Sequence, residues 1–167
     1  MRALTYVELI TNVFNELVEA HHSLHQLSEK KKDAIIKGNI DGLSEVVREE
    51  GKVVRQIGKL EVERIHSVSQ YLQSIGISTE GVTMNDLVKL LPSVDDKKKL
   101  QELQGDLTDV IMKLQKANDL NQELLQQSLN FVNHSLDLFT ETEPDQGTYG
   151  NPNQQQGKQQ QRRGIFD

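Results

Sequence analysis

LQELQGDLTDVIMKLQKANDLNQELLQQSLNFVNHSLDL, residues 100–138, holds the longest regular pattern in the chain. Leu100, Leu103, Leu107, Val110, Leu114, Ala117, Asn121, Leu124, Ser128, Phe131, Ser135 and Leu138 fall at strictly alternating steps of three and four. A helix turns once every 3.6 residues, so this spacing lays one stripe along one helix face. A stripe of this length is a coiled-coil-like signal, and a helix that long needs neighbours to cover its seam.

The neighbours lie upstream. Ile10, Val13, Leu17, Ala20, Leu24, Leu27 and Ala34 keep a heptad-like stripe, broken by Lys31, and no Pro or Gly interrupts residues 3–37. One helix over about 3–37 follows, with Lys30, Lys31 and Lys32 complementing the negative end of its dipole. Gly38-Asn39 reads as the C-cap. A second helix over about 41–74 is predicted, with Asp41 as N-cap. Its stripe is Leu43, Val46, Val47, Val53, Val54, Ile57, Leu60, Ile65, Val68, Leu72 and Ile75, with a stutter-like shift near Arg64. Gly51 and Gly58 lie inside it, each costing about 1 kcal/mol relative to Ala. Seven residues apart, they share a face, which leaves two readings open: simple tolerance, or close approach of another helix.

Gly76 and Gly81 mark a loop. In TMNDLVKLLP, Thr83 and Asp86 form a capping-box variant and Pro92 stops the helix, giving a short connector over about 84–91. Ser93 and Asp96 repeat the device at the start of the last helix, about 94–140. Residues 141–167 turn to Gln, Gly, Asn and Pro with few apolar side chains, a composition that predicts a disordered tail. The predicted fold is all-α: an elongated antiparallel bundle of three long helices over residues 1–140, with a connector helix and a disordered Gln-rich tail.

Composition narrows the function classes. Net charge is -6, and the acidic balance argues against a nucleic-acid grip. Aromatics are 4% with no tryptophan, which disfavours a large aromatic-lined ligand pocket. There is no cysteine, which excludes disulfides, thiolate metal sites and a Cys nucleophile and fits a reducing compartment. MRALTYVELITNVFNE lacks a continuous signal core, and no run of about twenty apolar residues predicts a membrane span. A cytoplasmic, soluble protein is expected.

No phosphate-binding glycine loop, zinc helix or serine elbow is present, so no catalytic residue, cofactor or metal is predicted. His21, His25 and Glu29 stand at i, i+4 and i+8, but three ligands strung along one helix converge poorly on one ion. The polar positions of the last stripe carry more information. Asn121 lies on the seam near Asn118, followed by Ser128 and Ser135. An amide at a core position selects register and partner at some cost in packing; a loosely packed or exposed bundle end would look the same. Large apolar residues separated by polar gaps suit a face that takes a partner helix.

In order along the chain, KKKDAIIKGNIDGLSEVV, KLEVER, ANDLNQELLQQSL and QGTYGNPNQQQG resemble the FlgN-type flagellar export chaperones. The resemblance implies a small helical cytosolic protein without catalysis. Such a protein binds the hook-associated proteins FlgK and FlgL, which form the hook–filament junction, keeps their disordered terminal regions unpolymerised and passes them to the export apparatus. Client recognition in the family lies in the C-terminal part. That carries over to Leu114, Ala117, Asn118, Asn121, Leu124, Leu125, Ser128 and Phe131. The family's tail tyrosine, followed by glycine, is linked to docking on the export gate protein FlhA, and Tyr149-Gly150 is the matching pair. The tail departs from the family in its glutamine content and in its closing GIFD with Ile165 and Phe166. A monomer or weak homodimer is expected. Two alternatives are a self-associating structural coiled coil and a chaperone for another export substrate, such as flagellin or the filament cap.

Overall fold

The computed structural model describes residues 5–141. They form four helices in chain order: α1, Tyr6–Lys37; α2, Ile40–Ser74; α3, Met84–Lys89; and α4, Val94–Glu141. The chain divides into two compact units, Met1–Asn121 and Gln122–Asp167. The predicted all-α class with long helices packing together is what the described residues show.

Local chemistry sets the boundaries. α1 starts later than the stripe alone suggests, because Thr5 and Glu8 form a capping box. The Glu8 N–H donates to Thr5 Oγ1 at 3.2 Å, and the Thr5 N–H donates to Glu8 Oε2 at 2.9 Å. At the other end Gly38 takes a left-handed backbone with φ 66°. Its N–H reaches the Ile35 carbonyl while the Asn39 N–H reaches the Ala34 carbonyl, the paired bonds of a Schellman stop. The expected N-cap at Asp41 is corrected to Asn39, whose side chain accepts from the Gly42 N–H at 3.0 Å. Asp41 then sits in the first turn, where a carboxylate complements the dipole. The connector is bounded by the predicted Thr83–Asp86 box and ends at Lys89, short of the expected 91.

Within the unit Met1–Asn121, α1 and α2 pack against each other as an antiparallel hairpin. The first part of α4 runs parallel to α1: Leu100 and Leu103 share a cluster with Val7, Ile10 and Phe14, and Asn118 and Asn121 meet Ser28. Tyr71 and Leu72 of α2 and Leu87 and Val88 of α3 complete that cluster. Burial pushes the Tyr71 hydroxyl above its ordinary pKa, with nearby Asp96 adding to the effect. The hydroxyl donates to the Leu90 carbonyl at 2.6 Å, which ties α2 to the end of the connector. A second cluster joins Val13, Leu17 and Ala20 to Leu60. Lys31, the break in the α1 stripe, reaches Glu50 of α2 at 3.5 Å, an ion contact between half-buried groups.

The α2 stripe read from sequence merges two faces. Leu60 is buried and Val53 half-buried, whereas Val47, Val54 and Ile65 are exposed; Leu72, on the line of Val54, is buried again beside the connector. At 100° per residue the second set lies about 120° round the helix from the first. Gly51 and Gly58 fall with the exposed set, and a Cβ built on either meets nothing within 4 Å. Among the described residues nothing approaches them, so the close-approach reading is not met there.

Candidate functional site

The candidate client residues divide between the two units. In Met1–Asn121, Leu114 and Asn121 are buried, Ala117 is half-buried and Asn118 is exposed. Asn121 is only 2% exposed and acts as an internal register pin. Its Nδ2 donates to the Ser28 carbonyl at 2.9 Å and to Ser28 Oγ at 3.1 Å. Ser28 Oγ in turn donates to Asn118 Oδ1 at 3.3 Å. Serine at 28 leaves room for the amide where a leucine would fill the seam. Asn121 Oδ1 has no hydrogen-bond partner despite its burial. Of the two readings of this seam amide, register selection is the one that the geometry at Asn121 favours.

The described part of the second unit, residues 122–141, is a helical segment with two contrasting sides. Leu124 and Leu125 are half-buried, Ser128 is exposed, and Phe131 is 72% exposed. Leu129, Val132, Leu136 and Leu138 are also exposed. They lie in rows seven residues apart, Leu124–Phe131–Leu138, Leu125–Val132 and Leu129–Leu136, spanning about 160° of the helix surface. Gln122, Glu123, Gln126, Gln127, Asn130 and His134 occupy the other side. The serines in the apolar sector turn inward on their own backbone. Ser128 Oγ donates to the Leu124 carbonyl at 3.0 Å, and Ser135 Oγ to the Phe131 carbonyl at 2.9 Å. With their protons so engaged, these positions act as short gaps in an apolar surface rather than as polar anchors.

Leu129, Val132 and Leu136 were missed by following a single stripe. The signal that finds them is the second set of seven-residue rows, offset from the first by about 100°.

No metal centre emerges from the histidines. His21 Nδ1 lies 2.7 Å from the Leu17 carbonyl and, facing an acceptor, donates to it. His25 Nε2 lies 3.8 Å from Glu29 Oε1. Among the described residues no three His, Cys, Asp or Glu side chains are grouped to hold an ion. No helix there is long and apolar enough to cross a membrane. Tyr149, Gly150, Ile165 and Phe166 lie outside the described residues.

Sequence comparison decides the family. The chain matches the family described as "FlgN protein" over residues 1–157. It belongs to the FlgN family. A relative from Bacillus subtilis (strain 168), named "Uncharacterized protein YvyG", is 29% identical over 134 residues, covering 80% of this chain and 81% of that one. No solved structure matches. Membership of the FlgN family places the chain among the flagellar export chaperones. The FlgN match covers residues of both units.

Proposed function

We propose that this chain is a cytoplasmic chaperone that binds the terminal segments of the hook-associated proteins FlgK and FlgL, prevents their premature assembly and delivers them to the export gate protein FlhA. One observation carries the reading: residues 124–138 keep a wide sector of large apolar side chains exposed on a helix, with Phe131 the most open of the apolar candidate residues. An exposed apolar sector of this kind is a liability unless something covers it. A disordered client segment would fold as an amphipathic helix onto Leu124, Leu125, Ser128 and Phe131, with Leu129, Val132 and Leu136 widening the surface.

Each large apolar side chain covered contributes about 1.5–3 kcal/mol, and ordering the client costs about 2–5 kcal/mol. Affinity is therefore moderate, and release needs no nucleotide. Leu114, Ala117, Asn118 and Asn121 contribute by positioning, since two of them are buried in the bundle. Tyr149-Gly150 would serve the gate.

The test is calorimetric titration of the chain with the terminal segments of FlgK and FlgL, and separately with FlhA. A Phe131→Asp variant should bind both clients at least about tenfold more weakly, the effect of losing roughly 1.4 kcal/mol or more. Truncation after Phe139 should leave client binding intact and abolish gate binding, as should Tyr149→Ala for the gate alone. Client binding lost on truncation, or gate binding retained by Tyr149→Ala, would overturn the corresponding assignment.

A further inference from the structure

Two of the three glycines of α2, Gly51 and Gly58, have no reason among the described residues. A glycine in a helix interior is unfavourable relative to alanine, and nothing lies near enough to Gly51 or Gly58 to require one. Each therefore leaves an open notch on the helix surface, the two about 10.5 Å apart at 1.5 Å per residue.

The notches sit in an apolar lane. Ile40, Val47, Val54 and Ile65 are all exposed and fall within about 40° of one line along α2, with Val62, 68% exposed, at its margin. This lane lies wholly in the unit Met1–Asn121, about 120° round the helix from the buried Leu60, and it ends after Ile65, since Leu72 on the same line is buried. Its two edges differ in charge. Arg48, Arg55 and Lys59 line one edge, all exposed, and none of them makes an ion pair among the described residues. On the other edge Glu50 is held by Lys31 at 3.5 Å and Glu61 by Arg64 at 2.7 Å. Asp41 shares the first edge at the helix start, on the line of Lys59, so the charge left over there is positive on balance.

A second copy of the chain fits this surface poorly. An antiparallel two-fold pair sets like edges together, so Arg48, Arg55 and Lys59 would face their own counterparts. A parallel in-register pair sets Gly51 against Gly51 and Gly58 against Gly58, and Val47 and Val54 against their own counterparts, so no large side chain enters either notch.

We infer that the outward face of α2 docks a different partner: an amphipathic helix with large apolar side chains seven residues apart, which enter the two notches, and an acidic edge against Arg48, Arg55 and Lys59. Small residues let the two backbones approach, apolar contact along the lane supplies affinity, and the charged edge fixes orientation. This face is built from residues other than 124–138 and does not depend on the client reading.

The probe is a labelled designed helical peptide of four heptads. It carries leucines one heptad apart, valine at the remaining seam positions and glutamate along one edge, and is titrated by fluorescence anisotropy into the full chain. Arg48→Glu/Arg55→Glu should weaken binding at least about tenfold, and a peptide with a lysine edge should not bind. Gly51→Ala/Gly58→Ala gives the decisive pair of readouts. It should raise Tm, because alanine is the better helix former and the Cβ meets only open space, while weakening peptide binding several-fold. Phe131→Asp should leave this peptide's affinity unchanged. Equal binding of the two peptides, or full affinity in the alanine pair, would overturn the proposal. So would a dimer in sedimentation that the alanine pair dissociates, since a second copy would then occupy the face.

Discussion

Leu103 and Phe131 stand four heptads apart at the same position of the α4 repeat, and they meet opposite fates. Leu103 is buried in the cluster formed with α1, α2 and α3, and Phe131 is 72% exposed. The positions between them grade from one state to the other: Val110 buried, Ala117 and Leu124 half-buried, then Phe131 and Leu138 open. The alternate positions follow suit, with Leu100 and Leu114 buried, Asn121 buried but polar, and serines at 128 and 135. Periodicity therefore records that a face is meant to be covered and is silent on whether this chain or another covers it. The first polar residue of the stripe, Asn121, is the last fully buried one among the described residues.

The sharpest way to break the comparison is to truncate both ends of the gradient. Leu100 is 1% exposed, so Leu100→Ala should lower unfolding free energy by about 3–5 kcal/mol through lost burial and the cavity left behind. Phe131→Ala should move it by less than about 0.5 kcal/mol, as surface changes do. Urea titrations of the two variants decide the point. A stability loss at Phe131 comparable to that at Leu100 would mean that the exposed segment is core after all.

A smaller effect tests the boundary between the regions. Ser28→Ala removes the hydroxyl that bridges Asn118 and Asn121 and should cost about 1 kcal/mol. Asn121→Leu should be close to neutral, since it deletes a buried carbonyl oxygen that has no partner along with the bonds it breaks. The same denaturant titrations report both, and a large loss in Asn121→Leu would show that the amide does more than set register.

The smallest effect concerns the connector, whose well-packed cluster depends on an exposed cap. Asp86 is held below the ordinary carboxylate range, chiefly by the hydrogen bond from the Thr83 backbone N–H, then by the Thr83 side chain, with Lys89 adding slightly. Because the folded-state pKa is depressed, its stabilisation is fully present above the unfolded-state value and is lost as pH falls through the folded one. The protection factors of the Leu87 and Val88 amides, taken relative to intrinsic exchange at each pH, should fall on acidification below the usual carboxylate range. In Asp86→Asn that pH dependence should flatten, and an unchanged profile would remove the cap from the account.

Much of this was legible in the residues. The Gly38 stop, the Thr83–Asp86 box and the last helix follow from chemistry confined to a few neighbouring positions. The α2 N-cap was misplaced by two residues because Asn39 serves both helices, closing one and opening the next within a single residue of turn. The α2 face was misread for another reason. Val47 and Val53 are equally apolar, and only the tertiary arrangement separates a covered valine from an uncovered one. The exposed segment of α4 was half legible: its first row of apolar residues belongs to the long stripe, and its second needed the helix surface laid out in full.

The turn at Gly38 also has a consequence in time. α1 and α2 meet through contacts local along the chain, whereas Asn121 must find Ser28 across 93 positions of sequence. Local contacts form early and distant ones late. On the ribosome the hairpin would be complete while α4 was still being made, so the exposed residues 124–138 would emerge only after the hairpin had formed.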